Sequence, residues 1–142
     1  MQPSERSGSM TIPSDMAQAG EVGLRLGEQL RALGVQEAIT TELRMAVGEA
    51  VANAILHGNR EDPRKLVVVE WSVDGGRVSV SVSDEGQGFR PEHVPDPTLD
   101  ENLLKEHGRG LFLITHLLDE VHHNAVGNQI TMVKYLRGSE RA

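Results

Sequence analysis

The chain contains no cysteine, which excludes a disulfide framework, a thiolate metal site and a cysteine nucleophile. Aromatic residues make up only 3% of the sequence, so a buried core must be built from aliphatic side chains. No apolar run approaches the roughly 20 residues of a membrane span, and no secretory signal pattern opens the chain. Lysine and arginine form no cluster and the net charge is −7, which argues against nucleic-acid binding. We therefore expect a soluble, cytoplasmic protein that binds neither membrane nor nucleic acid directly.

Hydrophobic periodicity divides the 142 residues into helices and strands of one domain. The polar, helix-poor residues 1–13 are predicted to form a flexible N-terminal tail, followed by the folded domain at 14–137 and a C-terminal tail at 138–142. Ser14 or Asp15 is expected to cap the first helix. The predicted helices span 14–33, 36–57 and 110–118, and the predicted strands span 66–73, 78–83, 121–125 and 129–136.

The order of these elements predicts an α+β fold. The first two strands are joined by Asp74, Gly75 and Gly76, and the tolerance of these residues for positive φ favours an antiparallel hairpin. Helices grouped against hairpins favour a two-layer sandwich, in which helices cover one face of a mixed, mainly antiparallel sheet. The same order excludes a doubly wound Rossmann sheet, and no P-loop motif is present. Residues 90–107 hold three prolines and little periodicity, and they are predicted to form a long mobile loop.

A stripe of polar residues runs along the predicted second helix. Glu49, Asn53 and His57 follow one another at steps of four, which places them on one helical face beside the apolar stripe. An asparagine carbonyl is an oxygen ligand of the kind that Mg²⁺ binds beside phosphate oxygens, and a glutamate could accept a proton from an attacking hydroxyl. His57 is predicted to be a nucleotide-binding residue that hydrogen-bonds the loop or lid. The alternative is that Glu49 is a solvated residue at the edge of an amphipathic helix.

Two glycine-bearing segments follow later in the chain. Asp84 ends an alternating strand beside Gly86 and Gly88, where its carboxylate could accept a hydrogen bond from an exocyclic amine and the glycines let a base approach the backbone. Taken alone, an ordinary tight turn explains this segment equally well. Residues 108–110 (Gly-Arg-Gly) precede a helix, where free N–H groups favour an anion, although a tight loop entering a helix has the same pattern. Together the three segments indicate a nucleotide site.

With these motifs the chain, from about residue 16 to 136, resembles the GHKL ATPase superfamily, which includes gyrase B, Hsp90, MutL and the sensor histidine kinases. The resemblance implies a sandwich of the Bergerat type that binds ATP and Mg²⁺. In the N box, it implies that Glu49 is the catalytic base and that Asn53 is the Mg²⁺ ligand. It also implies that Asp84 contacts the adenine amine and that residues 90–107 form a lid over ATP. The residues that match the G1 and G2 boxes are Asp84, Gly86, Gly88, Phe89, Gly108, Gly110 and Leu111.

The sequences around the N box and the G2 box look most like those of the stand-alone anti-sigma-factor serine/threonine kinases of bacteria. This likeness implies a homodimer in a partner switch, which holds a sigma factor or phosphorylates a serine on a small antagonist protein. Such kinases can carry an arginine just before the G2 box; here γ-phosphate contact falls to Lys105 or Arg109, or is impaired. The family's threonine early in the last strand is replaced by Asn128 or Gln129, either of which could hydrogen-bond near adenine. The alternative function is a non-catalytic nucleotide-binding switch that sequesters a protein partner.

Overall fold

The computed structural model describes residues 6–87 and 113–136, which form two layers. Two helices pack on one face of a five-stranded sheet, so the predicted α+β sandwich is confirmed. The elements in chain order are β1 (Ser7–Pro13), α1 (Met16–Ala32), α2 (Glu37–Asn53), a π-helical turn (Ala54–Gly58), β2 (Leu66–Asp74), β3 (Arg77–Ser83), β4 (Glu120–His123) and β5 (Gln129–Tyr135). A further helical segment covers residues 113–117, within the predicted third helix.

The sheet has the order β1-β2-β3-β5-β4, and each neighbouring pair is antiparallel. The predicted hairpin between β2 and β3 is confirmed, with Asp74 paired to Arg77. Gly75 and Gly76 lie between them with φ of 58° and 80°, the conformation that a two-residue turn of type I′ requires. The second predicted hairpin is formed by β4 and β5. Because β5 pairs with β3, the end of β3 at Ser83 lies beside the start of β5 at Gln129.

The predicted N-terminal tail is wrong over Ser7–Pro13, which form strand β1. This strand pairs with the whole length of β2, from Ser7 opposite Ser72 to Pro13 opposite Leu66. Ile12 is buried and Met10 packs against the core, whereas Ser9 and Thr11, which alternate with them, are exposed. Because the segment is mostly polar, its composition does not indicate this alternation. The strand forms because it pairs with an edge of β2 that would otherwise be unpaired.

The first helix begins at Met16 and is capped by Asp15, one of the two predicted caps, whose side chain accepts a hydrogen bond from the Ala17 backbone N–H at 3.0 Å. It ends before Gly34, which has a φ of +83°. The other candidate cap, Ser14, instead donates its hydroxyl hydrogen to the Lys65 carbonyl at 2.7 Å. Ser14 therefore ties the entry of α1 to the start of β2 rather than capping the helix.

The core between the two layers is aliphatic, as the low aromatic content predicts. On β2 and β3, alternate residues point toward the helices, so that one face of the sheet is buried and the other is partly exposed. The core side chains with no exposed surface include Leu26, Leu30, Leu43, Val47, Val51, Val67, Val69, Val78 and Val80. The chain's one tryptophan, Trp71, joins this core and donates its ring N–H to Gln29 Oε1 at 2.6 Å. Within residues 6–87 and 113–136, no helix is long and apolar enough to cross a membrane.

Candidate functional site

Two of the predicted site residues lie in the last turns of α2. Glu49 and Asn53 are both half-buried and stand four residues apart within the regular helix, so they share one face. Their neighbours Ala46, Ala50 and Val51 are buried in the core. An oxygen of a carboxylate and an oxygen of an amide are therefore held on a rigid element at the boundary between the core and the surface.

The helical geometry changes directly after Asn53, where the chain takes a π-helical turn over Ala54–Gly58. The Asn59 N–H donates to the Ala54 carbonyl at 2.8 Å, five residues back instead of four. The predicted second helix therefore ends in a π-helical turn and not in a regular α-helical turn. His57 is half-buried within this turn, four residues after Asn53, and its assignment to the nucleotide site stays a prediction. Turns of this type are rare and are frequent at functional sites.

The second predicted motif lies directly after β3. We call residues 84–87 the Asp84 loop. The Asp84 carboxylate accepts a hydrogen bond from the Gly86 N–H at 2.7 Å through Oδ1. On its other side, the Asp84 backbone N–H donates to the Asn128 carbonyl at 2.9 Å, and Asn128 Nδ2 lies 3.4 Å from the Gly86 carbonyl oxygen. The structure thus brings Asn128, at the entry to β5, beside Asp84 and Gly86.

The Asp84 loop packs against the end of the π-helical turn. A Cβ atom on Gly58 would stand 2.4 Å from the Asp84 carboxyl carbon, and one on Gly86 would stand 2.1 Å from the Gly58 carbonyl oxygen. Both distances are far below van der Waals contact, so only glycine fits at either position without movement of the backbone or the carboxylate. The helix that carries Glu49 and Asn53 therefore ends against the predicted adenine-contacting carboxylate.

Burial raises the pKa of the Asp84 carboxyl above its ordinary value, and this effect outweighs the hydrogen bond from Gly86 and the positive charge of Lys65, which lower it. A carboxylate that is held half-buried by the fold, at some cost to its ionised form, is typical of a binding or catalytic site. Its second oxygen, Oδ2, lies against Gly58 and offers a further acceptor at the same place.

Sequence patterns assign Asn59 only to the end of the second helix, yet its side chain connects several parts of the site. It is 1% exposed, and its Oδ1 accepts a hydrogen bond from the Glu85 N–H at 2.8 Å. Its Nδ2 donates to Ser14 Oγ at 2.8 Å and to the Leu66 carbonyl at 3.0 Å. An asparagine after a helix-ending glycine is the only signal in the sequence, and it does not indicate these distant partners.

Asn124 is a second residue that no sequence motif indicates. Its Oδ1 accepts hydrogen bonds from the backbone N–H groups of Gly127 at 2.6 Å and Asn128 at 3.0 Å, and its Nδ2 donates to Asn128 Oδ1 at 2.8 Å. These bonds shape the turn between β4 and β5 and hold Asn128 in place beside the Asp84 loop.

Several predicted residues lie outside the part of the chain that the structure describes. They are Gly88, Phe89, Lys105, Gly108, Arg109, Gly110 and Leu111, together with the predicted lid at 90–107. Among the residues that are described, no three or more histidine, aspartate or glutamate side chains cluster in a way that could hold a metal ion.

Comparison with known proteins relates nearly the whole chain to one family. A family model described as a histidine kinase-like ATPase domain matches residues 12–134. The serine-protein kinase RsbW of Bacillus subtilis (strain 168) is 33% identical, and the match covers 91% of this chain and 85% of that protein. The serine-protein kinase RsbW of Staphylococcus aureus (strain JH9) is 29% identical, and the match covers 96% of this chain and 91% of that protein.

A solved structure supports the same fold. The crystal structure of the RsbU and RsbW domains of a Mycobacterium tuberculosis protein matches 92% of this chain with a TM-score of 0.66 and 24% sequence identity. The matched part is 32% of that longer chain. The family match begins at residue 12, within β1, and ends at residue 134, within β5, so it includes the whole of the site described above. The chain therefore belongs to the family of histidine kinase-like ATPase domains.

Proposed function

We propose that this chain is an ATP-dependent protein serine/threonine kinase that acts as an anti-sigma factor in a bacterial partner switch. Its partners would be a sigma factor and a small antagonist protein, and the kinase would work in the cytoplasm as a homodimer. The observation that carries the proposal is the contact of the Asp84 loop with the end of the helix that bears Glu49 and Asn53. The relatives named serine-protein kinases support the assignment of kinase activity.

Adenine is the part of the nucleotide that we assign to the Asp84 loop. An ionised carboxylate accepts hydrogen bonds, and the exocyclic amine of adenine donates them, whereas guanine presents a carbonyl at the equivalent ring position. Gly58 and Gly86 carry no side chain where the carboxylate is packed, so the carboxylate keeps its position without obstruction from either residue. Asn128 is held beside Asp84 by a backbone hydrogen bond, and we assign it to a second contact with adenine.

Glu49 is the residue that we assign as the base in phosphoryl transfer. The serine oxygen of the antagonist attacks the γ-phosphorus of ATP, the bond from phosphorus to the ADP oxygen breaks, and the serine proton passes to the Glu49 carboxylate. The position of Glu49, half-buried on a regular helix, suits this role because a rigid element holds the carboxylate in one orientation. Lys105 or Arg109 would stabilise the charge on the γ-phosphate.

Asn53 is the residue that would hold Mg²⁺. The donor set suits this ion, because Mg²⁺ takes few protein ligands and completes its shell with water and phosphate oxygens. A single neutral amide oxygen, half-buried four residues from Glu49, provides such a ligand without adding negative charge near a triphosphate. When bound with ATP, the ion would supply positive charge that neutralises the phosphate oxygens.

The decisive experiment is transfer of labelled phosphate from ATP to a small antagonist protein. We expect labelling of one serine, and its replacement by alanine in the antagonist should abolish the signal. Glu49→Gln keeps the shape of the side chain and should lower the transfer rate by about 100-fold or more, while the affinity for ATP changes little. Glu70→Gln, at an exposed position on β2, is the matched control and should transfer phosphate at the unaltered rate.

Each other outcome has a definite meaning. Unaltered turnover in Glu49→Gln would show that Glu49 is structural. ATP binding without any phosphate transfer to the antagonist would contradict the kinase proposal and support a switch that binds nucleotide and sequesters its partner.

A further inference from the structure

Asn59 is almost completely buried, and its whole amide group is used in hydrogen bonds. Three partners come from three different segments of the chain: Ser14 at the junction of β1 and α1, Leu66 at the start of β2, and Glu85 in the Asp84 loop. Its own backbone N–H is bonded to Ala54 in the π-helical turn. A buried amide with every polar atom paired is held in one orientation, because any rotation would leave a polar group unsatisfied.

Glu85 is hydrogen-bonded both to Asn59 and to the start of β2. Its carboxylate accepts a hydrogen bond from the Leu66 N–H, while Asn59 Nδ2 binds the Leu66 carbonyl at 3.0 Å. The N–H of Glu85 is the donor to Asn59 Oδ1. Asn59, Glu85 and the Leu66 peptide groups therefore form a closed ring of hydrogen bonds that attaches the Asp84 loop to the start of β2.

This ring determines where the Asp84 carboxylate stands. Glu85 lies between Asp84 and Gly86, and the Gly86 N–H binds Asp84 Oδ1 at 2.7 Å. The other end of the loop is held by the bond from the Asp84 N–H to the Asn128 carbonyl. Without the bond from the Glu85 N–H to Asn59, the loop backbone would keep only the Asn128 side of its attachment, and the exposed Glu85 side chain would be its one remaining bond to the start of β2, so the backbone could move away from Gly58.

We propose that Asn59 is a positioning residue for nucleotide recognition, which sets the Asp84 carboxylate at the correct distance from the end of α2. The inference rests on the proposed contact between Asp84 and adenine. Asn59 itself does not touch the nucleotide; it acts through the Glu85 N–H. Its bond to Ser14, 45 residues away, connects the same amide to the entry of α1 and contributes to stability rather than to recognition.

The test compares ATP with inosine triphosphate, which carries a carbonyl in place of the adenine amine, and uses the full chain with Mg²⁺. In Asn59→Ala, the dissociation constant for ATP should rise by about ten-fold or more. This is the scale of losing the hydrogen bond from the adenine amine to the charged Asp84 carboxylate. The dissociation constant for inosine triphosphate should change by less than about three-fold, because the phosphate contacts remain. The preference for ATP would therefore collapse.

Ser14→Ala is the matched control, since it removes the neighbouring buried hydrogen bond but leaves the bond between Asn59 and Glu85. It should lower the midpoint of thermal unfolding and leave the preference for ATP unchanged. A loss of stability in Asn59→Ala with the preference retained would overturn the proposal and reduce Asn59 to a structural role. Asn59→Asp, which keeps an acceptor for the Glu85 N–H, should recover part of the preference.

The double variant with Asp84→Asn separates this inference from the proposed function. If Asp84→Asn itself leaves the preference for ATP intact, the assignment of Asp84 to adenine fails. If it removes the preference, adding Asn59→Ala should change the preference no further, because both act on one contact; a further loss would overturn the positioning role. Should Asn59→Ala not fold, exchange of the Glu85 amide hydrogen in the unaltered chain decides: protection like that of β3 amides is expected, and exchange at the rate of an open loop overturns the proposal.

Discussion

Replacing Asp84 by asparagine should change stability and nucleotide binding in opposite directions. The new side chain has nearly the same shape, and its carbonyl oxygen can still accept the hydrogen bond from the Gly86 N–H that Oδ1 accepts at 2.7 Å. Burial raises the pKa of the Asp84 carboxyl, which means that the ionised form is disfavoured in the folded chain. A neutral amide avoids this cost, so the nucleotide-free protein should be at least as stable as the unaltered protein at pH 7.

Nucleotide binding should become weaker because the amide nitrogen is a donor that would face the donor amine of adenine. The substitution removes a hydrogen bond to a charged group, worth about 1.5–3 kcal/mol, and this corresponds to a rise of roughly 10- to 150-fold in the dissociation constant. No such penalty is expected for inosine triphosphate, because its carbonyl can accept a hydrogen bond from the new amide.

Calorimetry with a non-hydrolysable ATP analogue and Mg²⁺ measures the affinity, and thermal denaturation without nucleotide measures the stability. Asp74→Asn is the matched control, because Asp74 is an exposed aspartate at the end of β2, beside the turn to β3 and at the opposite end of this hairpin from Asp84. Its affinity should stay within about two-fold of the unaltered value. An unchanged dissociation constant in Asp84→Asn would refute the assignment of this carboxylate to adenine.

The dependence of stability and of nucleotide affinity on pH is an independent check of the role of Asp84. Because the folded-state pKa of Asp84 lies above the ordinary value of 3.8, the folded chain binds this proton more tightly than the unfolded chain does. The contribution of Asp84 to the free energy of unfolding should therefore rise as the pH falls from neutrality through the folded-state pKa toward 3.8. Nucleotide affinity should fall over the same range, since the carboxyl loses its charge. In urea titrations, the stability advantage of Asp84→Asn should shrink as the pH is lowered.

Two further predictions concern the metal ligand and the core. Asn53→Ala should fold normally, because the side chain is only half-buried, and should lose the enhancement of ATP binding by Mg²⁺; a Mg²⁺ titration showing the full enhancement would contradict the metal role. Leu43→Ala removes a side chain with 0% exposure on α2 and should lower the free energy of unfolding in urea by about 2–5 kcal/mol. Leu24→Ala, at 53% exposure on α1, should change it by about 0.5 kcal/mol or less, and equal losses would show that the core is placed wrongly.

Local patterns predicted the regular elements of this protein well. The alternation of Val78, Val80 and Val82 with serines identified β3, and the paired glycines at 75 and 76 identified its turn. These features are visible in the sequence because side-chain period and backbone freedom act over a few neighbouring residues. The same holds for the Glu49 and Asn53 pair, whose spacing needs only a regular helix. Family resemblance then assigned chemistry to these residues, and the match over residues 12–134 confirms the family.

Strand β1 and the π-helical turn were beyond the reach of local patterns. Ser7–Pro13 has a polar composition, and it is a strand because it pairs with β2, whose nearest residue is more than 50 positions away along the chain. The π-helical turn takes the place of the last turn of the predicted second helix, and its Gly58 packs against Asp84 from a distant part of the chain. In both places the free energy comes from contacts with distant segments rather than from the segment itself.

The sequence by itself therefore determined the two layers, the hairpins and the identity of the candidate site residues on α2 and after β3. Only the tertiary structure decided how those residues meet: Gly58 against Asp84, Asn128 beside Gly86, and Asn59 bonded to Glu85, 26 residues away, and to Ser14, 45 residues away. A buried amide must find partners for all its polar atoms, and which partners it finds depends on the whole fold, because no rule of local spacing extends across such separations.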